Sequence, residues 1–257
     1  MDREFLQHAF DRYVSAFDAA DERIALKIEH TYHVARNCDG IARRLDLNER
    51  KKNIAWAIGM LHDIGRFEQV ARSHSFVDSV AGDHAEEGVK ALFTDGHITD
   101  FIPAGVMNAE ELEAIRLAIH LHNKLALEAG LTAEQELFCN IIRDADKLDI
   151  FRVCTEKSFR AVHEYPAEEV RVSGFSSAVT ECFDKRVALD YSKRQSPADI
   201  FLGHIAMCFG LYYPDSRREA YEQGYVEKMM DFTFADAENE AQWQQMQSVV
   251  RAFLANG

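Results

Sequence analysis

The sequence predicts an all-α protein, because of its apolar pattern and its low glycine and proline content. Apolar residues recur at helical spacing through most of the 257 residues, and the alternation typical of strands is almost absent. Only 13 glycines and 4 prolines interrupt the chain, which favours long helices over a many-stranded β fold. A content of 47% apolar and 28% charged residues is typical of a globular protein with a hydrophobic core.

The N-terminal half contains three stretches with apolar residues at helical spacing. The first covers residues 22–45. Asn48 is placed to cap the second, which is predicted to end near Gly65. Residues 85–93 form the third. Two pairs of residues have the spacing of a capping box and predict two further helices: Asn108 with Glu111, and Thr132 with Gln135.

The C-terminal region is also predicted to be helical. Ser196 followed by Pro197 has the order of an N-cap and a first helical residue, and residues 237–255 form a last helix. No internal repeat or linker is visible in the sequence. We therefore expect a helical core over residues 1–160 and a helical C-terminal extension over residues 161–257 that packs on the core.

The charge balance narrows the range of binding partners. Lys and Arg number 29 and Asp and Glu number 43, which gives a net charge of −14. An acidic surface repels phosphate backbones and anionic lipids, so we expect neither a nucleic acid polymer nor a membrane as partner. The 5 cysteines have no CxxC spacing, and the N-terminus lacks the apolar region of a signal peptide. These features predict reduced thiols in a cytoplasmic protein.

Histidines and aspartates lie on successive predicted helices. A single histidine on a helix is usually a structural residue, but several helices of a bundle can direct such residues to one interior point. On the first predicted helix, His30 lies nearer the apolar face than His33. On the helix that Asn108 caps, His122 continues the apolar stripe and His120 points away from it.

The ordered motifs H-x-x-x-V-A, L-H-D-I-G-R, D-H-A-x-x-G, H-N and R-D-A-D-K-L-D together resemble the HD-domain superfamily of metal-dependent phosphohydrolases. The resemblance covers about residues 24–151 and is specific because of the order of its parts. It implies an HD-domain helical bundle. Residues beyond about 157 contribute no motif of this family, so their expected role is to pack on the core, shape the pocket or mediate assembly.

The resemblance also implies a dinuclear metal site. For the aspartate of the last motif it favours Asp146, although helical periodicity leans slightly towards Asp144, which stays an alternative. His120 likewise stays an alternative to His122. The implied ligands of the first metal are His30, His62, Asp63 and Asp146, and those of the second are His84 and His122 together with Asp63 as the bridge.

The expected chemistry is hydrolysis of a small phosphoester, a nucleotide or a related metabolite. Imidazole and carboxylate ligands suit divalent Mn, Fe, Ni, Co or Zn, and Mg is possible. Two such ions activate a water to hydroxide, and they neutralise phosphoryl oxygens in an otherwise acidic protein. Asp63, as the bridge, is therefore expected to be catalytic as well as metal-binding.

Two basic residues are candidates for contact with the substrate. Arg66 lies three residues after Asp63, where many relatives carry a lysine that contacts substrate, and the alternative is a solvated arginine at a helix end. Lys147 either contacts substrate or pairs with a carboxylate such as Asp144. Asp83 is expected to cap the helix that begins at His84 rather than to bind metal.

Two other functions are compatible with the same residues. A few relatives with the same six ligands hold a di-iron centre and oxidise C–H bonds with oxygen, as myo-inositol oxygenase does. A degenerate domain that binds metal or nucleotide without turnover is the other alternative. The sequence predicts neither the oligomeric state nor the identity of the substrate.

Overall fold

The structure is a computed structural model that describes residues 1–76 and 78–256, without the side chains of residues 79 and 80. Within these residues every regular element is a helix and no strand occurs, which confirms the predicted fold class. The chain forms two compact units, Met1–Asp146 and Lys147–Gly257. The division falls inside a long helix, and the domain boundary predicted after residue 160 stays a prediction.

The helices of the first unit, and the long helix that contains the division, are numbered in chain order. They are α1 Arg3–Val14, α2 Glu22–Arg44, α3 Glu49–Leu61, α4 Ile64–Ser73, α5 Asp78–Ala81, α6 His84–Val89, α7 Ile98–Phe101, α8 Ala109–Leu121 and α9 Ala133–Glu156. A π-helical turn, Lys90–Thr94, follows α6 directly.

The second unit continues with shorter helices and ends with a long one. They are α10 Phe159–His163, α11 Ala167–Val172, α12 Ser177–Lys185, α13 Pro197–Ala206, α14 Pro214–Gln223, α15 Tyr225–Met230 and α16 Ala237–Ala255, with 3₁₀ turns at Tyr191–Lys193 and Met207–Gly210. In this unit α16 packs against α12 and α14. Its Trp243 is fully buried and donates a hydrogen bond from the indole nitrogen to the carbonyl of Phe232 at 2.8 Å. Among the described residues, no helix is both long enough and apolar enough to cross a membrane.

Close packing in the first unit depends on small residues. A Cβ atom at Gly59 of α3 would lie 2.6 Å from Ala35 Cα of α2, so the two helices approach at a distance that only glycine allows. A Cβ atom at Gly65 of α4 would lie 2.2 Å from the carbonyl oxygen of His84 and 2.5 Å from the amide nitrogen of Gly88. Gly65 therefore brings α4 against α6.

The predicted helix starts are confirmed where capping residues carried the prediction. Asn48 accepts a hydrogen bond from the amide of Lys51 at 3.0 Å. Both predicted capping boxes have their reciprocal bonds, between Asn108 and Glu111 and between Thr132 and Gln135. Ser196 caps α13, in which Pro197 is the first residue, and α16 has its predicted bounds. Asp83 caps α6 through the amides of Ala85 and Glu86.

One predicted helix end was wrong. The helix expected to end near Gly65 ends at Leu61, because Asp63 leaves the helical conformation (φ −103°, ψ 16°) and α4 begins at Ile64. The prediction used the glycine as the end signal, whereas Gly65 lies inside the first turn of α4. The break places His62 and Asp63 at the junction of two helices.

Candidate metal centre

Four of the predicted ligands form a first cluster around one oxygen of Asp63. His30 lies in the middle of α2, His62 and Asp63 lie at the junction of α3 and α4, and Asp146 lies on α9. Asp63 Oδ2 is 3.7 Å from His30 Nε2 and 3.6 Å from His62 Nε2. Asp146 Oδ1 is 3.1 Å from His30 Nε2 and 3.9 Å from His62 Nε2. Each of the two imidazole nitrogens therefore lies within 4 Å of a carboxylate oxygen of both aspartates.

The other oxygen of Asp63 faces a second cluster. Asp63 Oδ1 lies 3.4 Å from Nε2 of His84, the first residue of α6, and 3.9 Å from Nε2 of His122, which follows α8. The Nε2 atoms of these two histidines are 3.0 Å apart. Asp63 is thus the one residue that the two clusters share, with one oxygen directed to each.

Hydrogen bonds fix which nitrogen of three imidazoles faces the cluster. His62 Nδ1 donates to the carbonyl of Gly59 at 2.8 Å, and His122 Nδ1 donates to the carbonyl of Ile119 at 2.7 Å. His84 Nδ1 donates to the carboxylate of Asp78 at 2.9 Å. Each partner can only accept a hydrogen bond, so in the neutral rings Nε2 carries the lone pair and points inward.

This arrangement fits bound cations. The lone pairs of His84 Nε2 and His122 Nε2 face each other, and such a contact is favourable only if a cation or a proton is shared between them. His62 Nε2 is buried and has no hydrogen-bond partner among the described residues. A buried polar atom without a partner is costly, and a metal ion would satisfy it. Nitrogen and carboxylate ligands are those that borderline transition metals prefer.

The protonation states also suit metal ligands. Burial, followed by the charges of His84 and His62, lowers the pKa of His122 to about 3, so its imidazole is neutral at neutral pH. Burial likewise lowers the pKa of His62. Burial alone would raise the pKa of Asp63, but the charges of Lys27 and of the imidazoles outweigh it and hold that pKa well below its usual range. Asp63 is therefore a carboxylate.

Lys27 is a basic residue of this site that the sequence analysis missed. Its Nζ lies 2.7 Å from Asp63 Oδ2 and 5.4 Å from the ring centre of Phe76. Lys27 precedes His30 by three residues, which puts both side chains on one face of α2. That spacing was the available signal, but no motif drew attention to it.

Asp78 was missed as well, and it links Arg66 to the second cluster. Arg66 Nη1 donates to Asp78 Oδ1 at 2.7 Å, to Gln69 Oε1 at 2.6 Å and to the carbonyl of Phe76 at 2.8 Å. Arg66 Nε lies 3.8 Å from Asp63 Oδ1. Asp78 in turn accepts from His84. Arg66 is thus mostly buried in a hydrogen-bonded network beside the clusters, and its predicted contact with substrate stays a prediction.

The remaining candidates lie elsewhere. His120 and His33 are partly exposed and belong to neither cluster of the described residues. Asp144 is fully buried on α9 and stays an alternative to Asp146. Lys147 belongs to the second unit, where a Cβ atom at Gly210 would lie 3.1 Å from its Cε. The predicted role of Lys147 in contacting substrate stays a prediction.

Comparison with known families agrees with this geometry. The buried His/Asp clusters of the described residues could hold metal. Residues 28–150 match the family model described as HD domain, and this range contains both clusters. This part of the chain is similar to the HD superfamily of metal-dependent phosphohydrolases, whose members bind divalent metals. No curated protein and no solved structure shows significant similarity to the chain.

Proposed function

We propose that the protein is a phosphohydrolase that uses a dinuclear metal centre to hydrolyse a small phosphoester, a nucleotide or a related metabolite. One observation carries the proposal: the two oxygens of Asp63 face two separate groups of inward-pointing imidazole nitrogens. A carboxylate that bridges two ions about 3.5–4 Å apart is a recurrent feature of sites for phosphoryl chemistry.

The proposed ligands are divided between the two ions. His30, His62 and Asp146 would hold the first and His84 and His122 the second, with Asp63 contributing one oxygen to each. When bound, the ions would supply an activated water and positive charge for the phosphoryl oxygens. Asp63 and Asp146 supply negative charge that retains divalent ions, and the bonds from Nδ1 of the histidines keep the ring orientation fixed.

The surrounding cations suggest how an anionic substrate is held. We assign to Lys27 the contact with a phosphoryl oxygen, because its Nζ lies 2.7 Å from Asp63 Oδ2, whereas Arg66 Nε lies 3.8 Å from Asp63 Oδ1. Arg66 would act mainly by holding Asp78 and hence His84, and Lys147 remains a proposed further contact. In the reaction, the water oxygen bonds to phosphorus and gives up a proton to solvent. The bond between phosphorus and the ester oxygen breaks, and the ester oxygen takes up a proton from solvent or a nearby acid.

The test is a panel of phosphoesters and nucleotides assayed after metal removal and restoration of one metal at a time. The protein is purified without a metal-affinity tag, and release of inorganic phosphate is measured. We expect phosphate release that depends on the added metal and is absent in Asp63→Asn. Oxygen consumption that requires iron, with no phosphate release from any ester, would instead support the oxygenase alternative. Metal binding without either reaction would support the non-catalytic module.

A further inference from the structure

A second group of potential metal ligands lies in the second unit. Cys154 on α9, His163 at the end of α10 and His204 on α13 bring their ligand atoms within 4.8 Å of one another. The Nδ1 atoms of the two histidines are 2.8 Å apart. Cys154 is 7% exposed and His163 is 1% exposed. No motif of the HD family includes these residues, and all three belong to Lys147–Gly257.

The surroundings of this group are apolar. The ring centre of His163 lies 4.4 Å from that of Phe159 and 5.2 Å from that of Phe201. Phe232 extends the aromatic wall by stacking on Phe159. Burial, with a smaller effect of Arg194, lowers the pKa of His163 to about 4, and burial also lowers the pKa of His204. Both rings are therefore neutral and offer lone pairs at neutral pH.

We propose that Cys154, His163 and His204 bind a thiolate-preferring divalent metal ion of the zinc class. Cysteine sulfur and histidine nitrogen are both ligand types that zinc prefers in proteins. Nitrogens bonded to one tetrahedral ion at about 2.0–2.1 Å lie about 3.3 Å apart, so the observed pair needs to separate by only about half an ångström. Three protein ligands leave the fourth position for solvent or another ligand.

The positive charge of Arg194 near the group means that only a metal with high affinity for sulfur is expected to bind there. Arg194 acts on both histidines, and its positive charge opposes a second cation. Binding converts the Cys154 thiol to a thiolate and releases one proton to solvent, which adds the one negative charge of the donor set. Mg²⁺ or Ca²⁺, which prefer oxygen ligands, would gain little from such a site. A bound ion would connect α9, α10 and α13 within the second unit.

The proposal can be tested separately from the two Asp63 clusters, because the group of Cys154, His163 and His204 contains sulfur and those clusters do not. Co²⁺ is added to the metal-free protein of 257 residues, and the near-ultraviolet band from thiolate-to-cobalt charge transfer is recorded. Nitrogen and carboxylate ligands do not produce this band, so Co²⁺ bound at the Asp63 clusters would not contribute to it. We expect one cobalt–thiolate centre per chain, and we expect Zn²⁺ to abolish the band by displacement.

Variants of the proposed ligands, with one control cysteine in the same unit, show which residue gives the band. Cys154→Ala should lose the band, whereas Cys208→Ala, which removes a fully buried cysteine outside the group, should keep it. His163→Gln retains the thiol and should require at least tenfold more Co²⁺ for half of the signal. The proposal is overturned if folded wild-type protein saturated with Co²⁺ has no thiolate band, or if the band survives in Cys154→Ala. The wild-type measurement decides the matter even if a variant fails to fold.

Discussion

The choice between neighbouring histidines is made by the direction of single side chains. His122 Nε2 lies 3.0 Å from His84 Nε2, whereas His120, two residues earlier, is partly exposed and in neither cluster as described. We predict that His122→Ala loses the second metal ion and that His120→Ala keeps it. Metal content of each folded variant, measured by elemental analysis, checks this. Loss of metal in the His120 variant alone would contradict the assignment.

Lys27 is predicted to act on substrate rather than on metal retention. Removing one donor from an oxyanion hole typically costs about 10²–10³ in rate, and by analogy a similar loss is expected for a charge that contacts a transferring phosphoryl group. We therefore expect Lys27→Ala to retain its metal and to hydrolyse the best phosphoester about 10²-fold more slowly. Lys27→Arg should recover part of the rate because the charge is kept. Lys52, a salt-bridged lysine on α3, supplies a matched control, and Lys52→Ala should leave the rate unchanged. An unchanged rate in Lys27→Ala would refute the assigned contact.

Arg66 and Asp78 are predicted to act as a pair. Arg66 donates a 2.7 Å hydrogen bond to Asp78, and Asp78 accepts a hydrogen bond from His84. A change at Arg66 or at Asp78 therefore disturbs the same imidazole, that of His84. In a double-mutant cycle, Arg66→Ala and Asp78→Ala should each slow turnover at least about tenfold, and the double variant should be little worse than either. Arg66→Lys should restore part of the loss. Fully additive losses, measured in kcat/KM, would instead indicate that Arg66 contacts substrate directly.

At the scale of elements, the approach of α4 to α6 is predicted to depend on Gly65. A Cβ atom there would meet the backbone of His84 and Gly88, so Gly65→Ala should reduce the free energy of unfolding by about 1–3 kcal/mol and weaken the second metal site. Gly40→Ala is the control, since a Cβ atom at this helical position meets nothing closer than 3.7 Å. That change should stabilise α2 by about 0.5–1 kcal/mol. Chemical denaturation of the metal-free variants measures both values, and equal stability of the two variants would contradict the packing argument.

The helices that could be predicted from the sequence are those that begin with a capping residue. Asn48, Asn108 and Ser196 mark helix starts because their side chains bond to amides within the next turn. Helix α10, with 5 residues, is too short for a periodic apolar stripe, and α1 was overlooked although Asp2 caps it. The break at Asp63 could not be predicted from periodicity, because it depends on packing of α4 against α6.

The site was predictable to a similar degree. Each of the six proposed ligands lies in a motif, and the family resemblance, rather than helical periodicity, selected Asp146 over Asp144. Lys27 and Asp78 lie in no motif, and only the packing of their helices and loops brings them to the clusters. The group of Cys154, His163 and His204 could not be predicted either, because its two histidines are 41 positions apart and only the fold brings them together.

For the whole molecule, metal binding and stability are expected to be linked. A net charge of −14 disfavours further anionic charge and favours retention of cations. An ion bound only by the folded chain stabilises it by about 2.7 kcal/mol when its free concentration is 100 times the dissociation constant.

The central claim is that Asp63 joins two metal ions, and the metal content of Asp63→Asn tests it most directly. Wild-type protein and the variant are purified without a metal-affinity tag, restored with the same metal and analysed for ions per chain. Asp39→Asn, which changes a carboxylate paired with Arg3 and Arg43, is the control. We predict that folded Asp63→Asn binds about two ions fewer per chain than wild type and that Asp39→Asn matches wild type. A folded Asp63→Asn protein with wild-type metal content would contradict the claim.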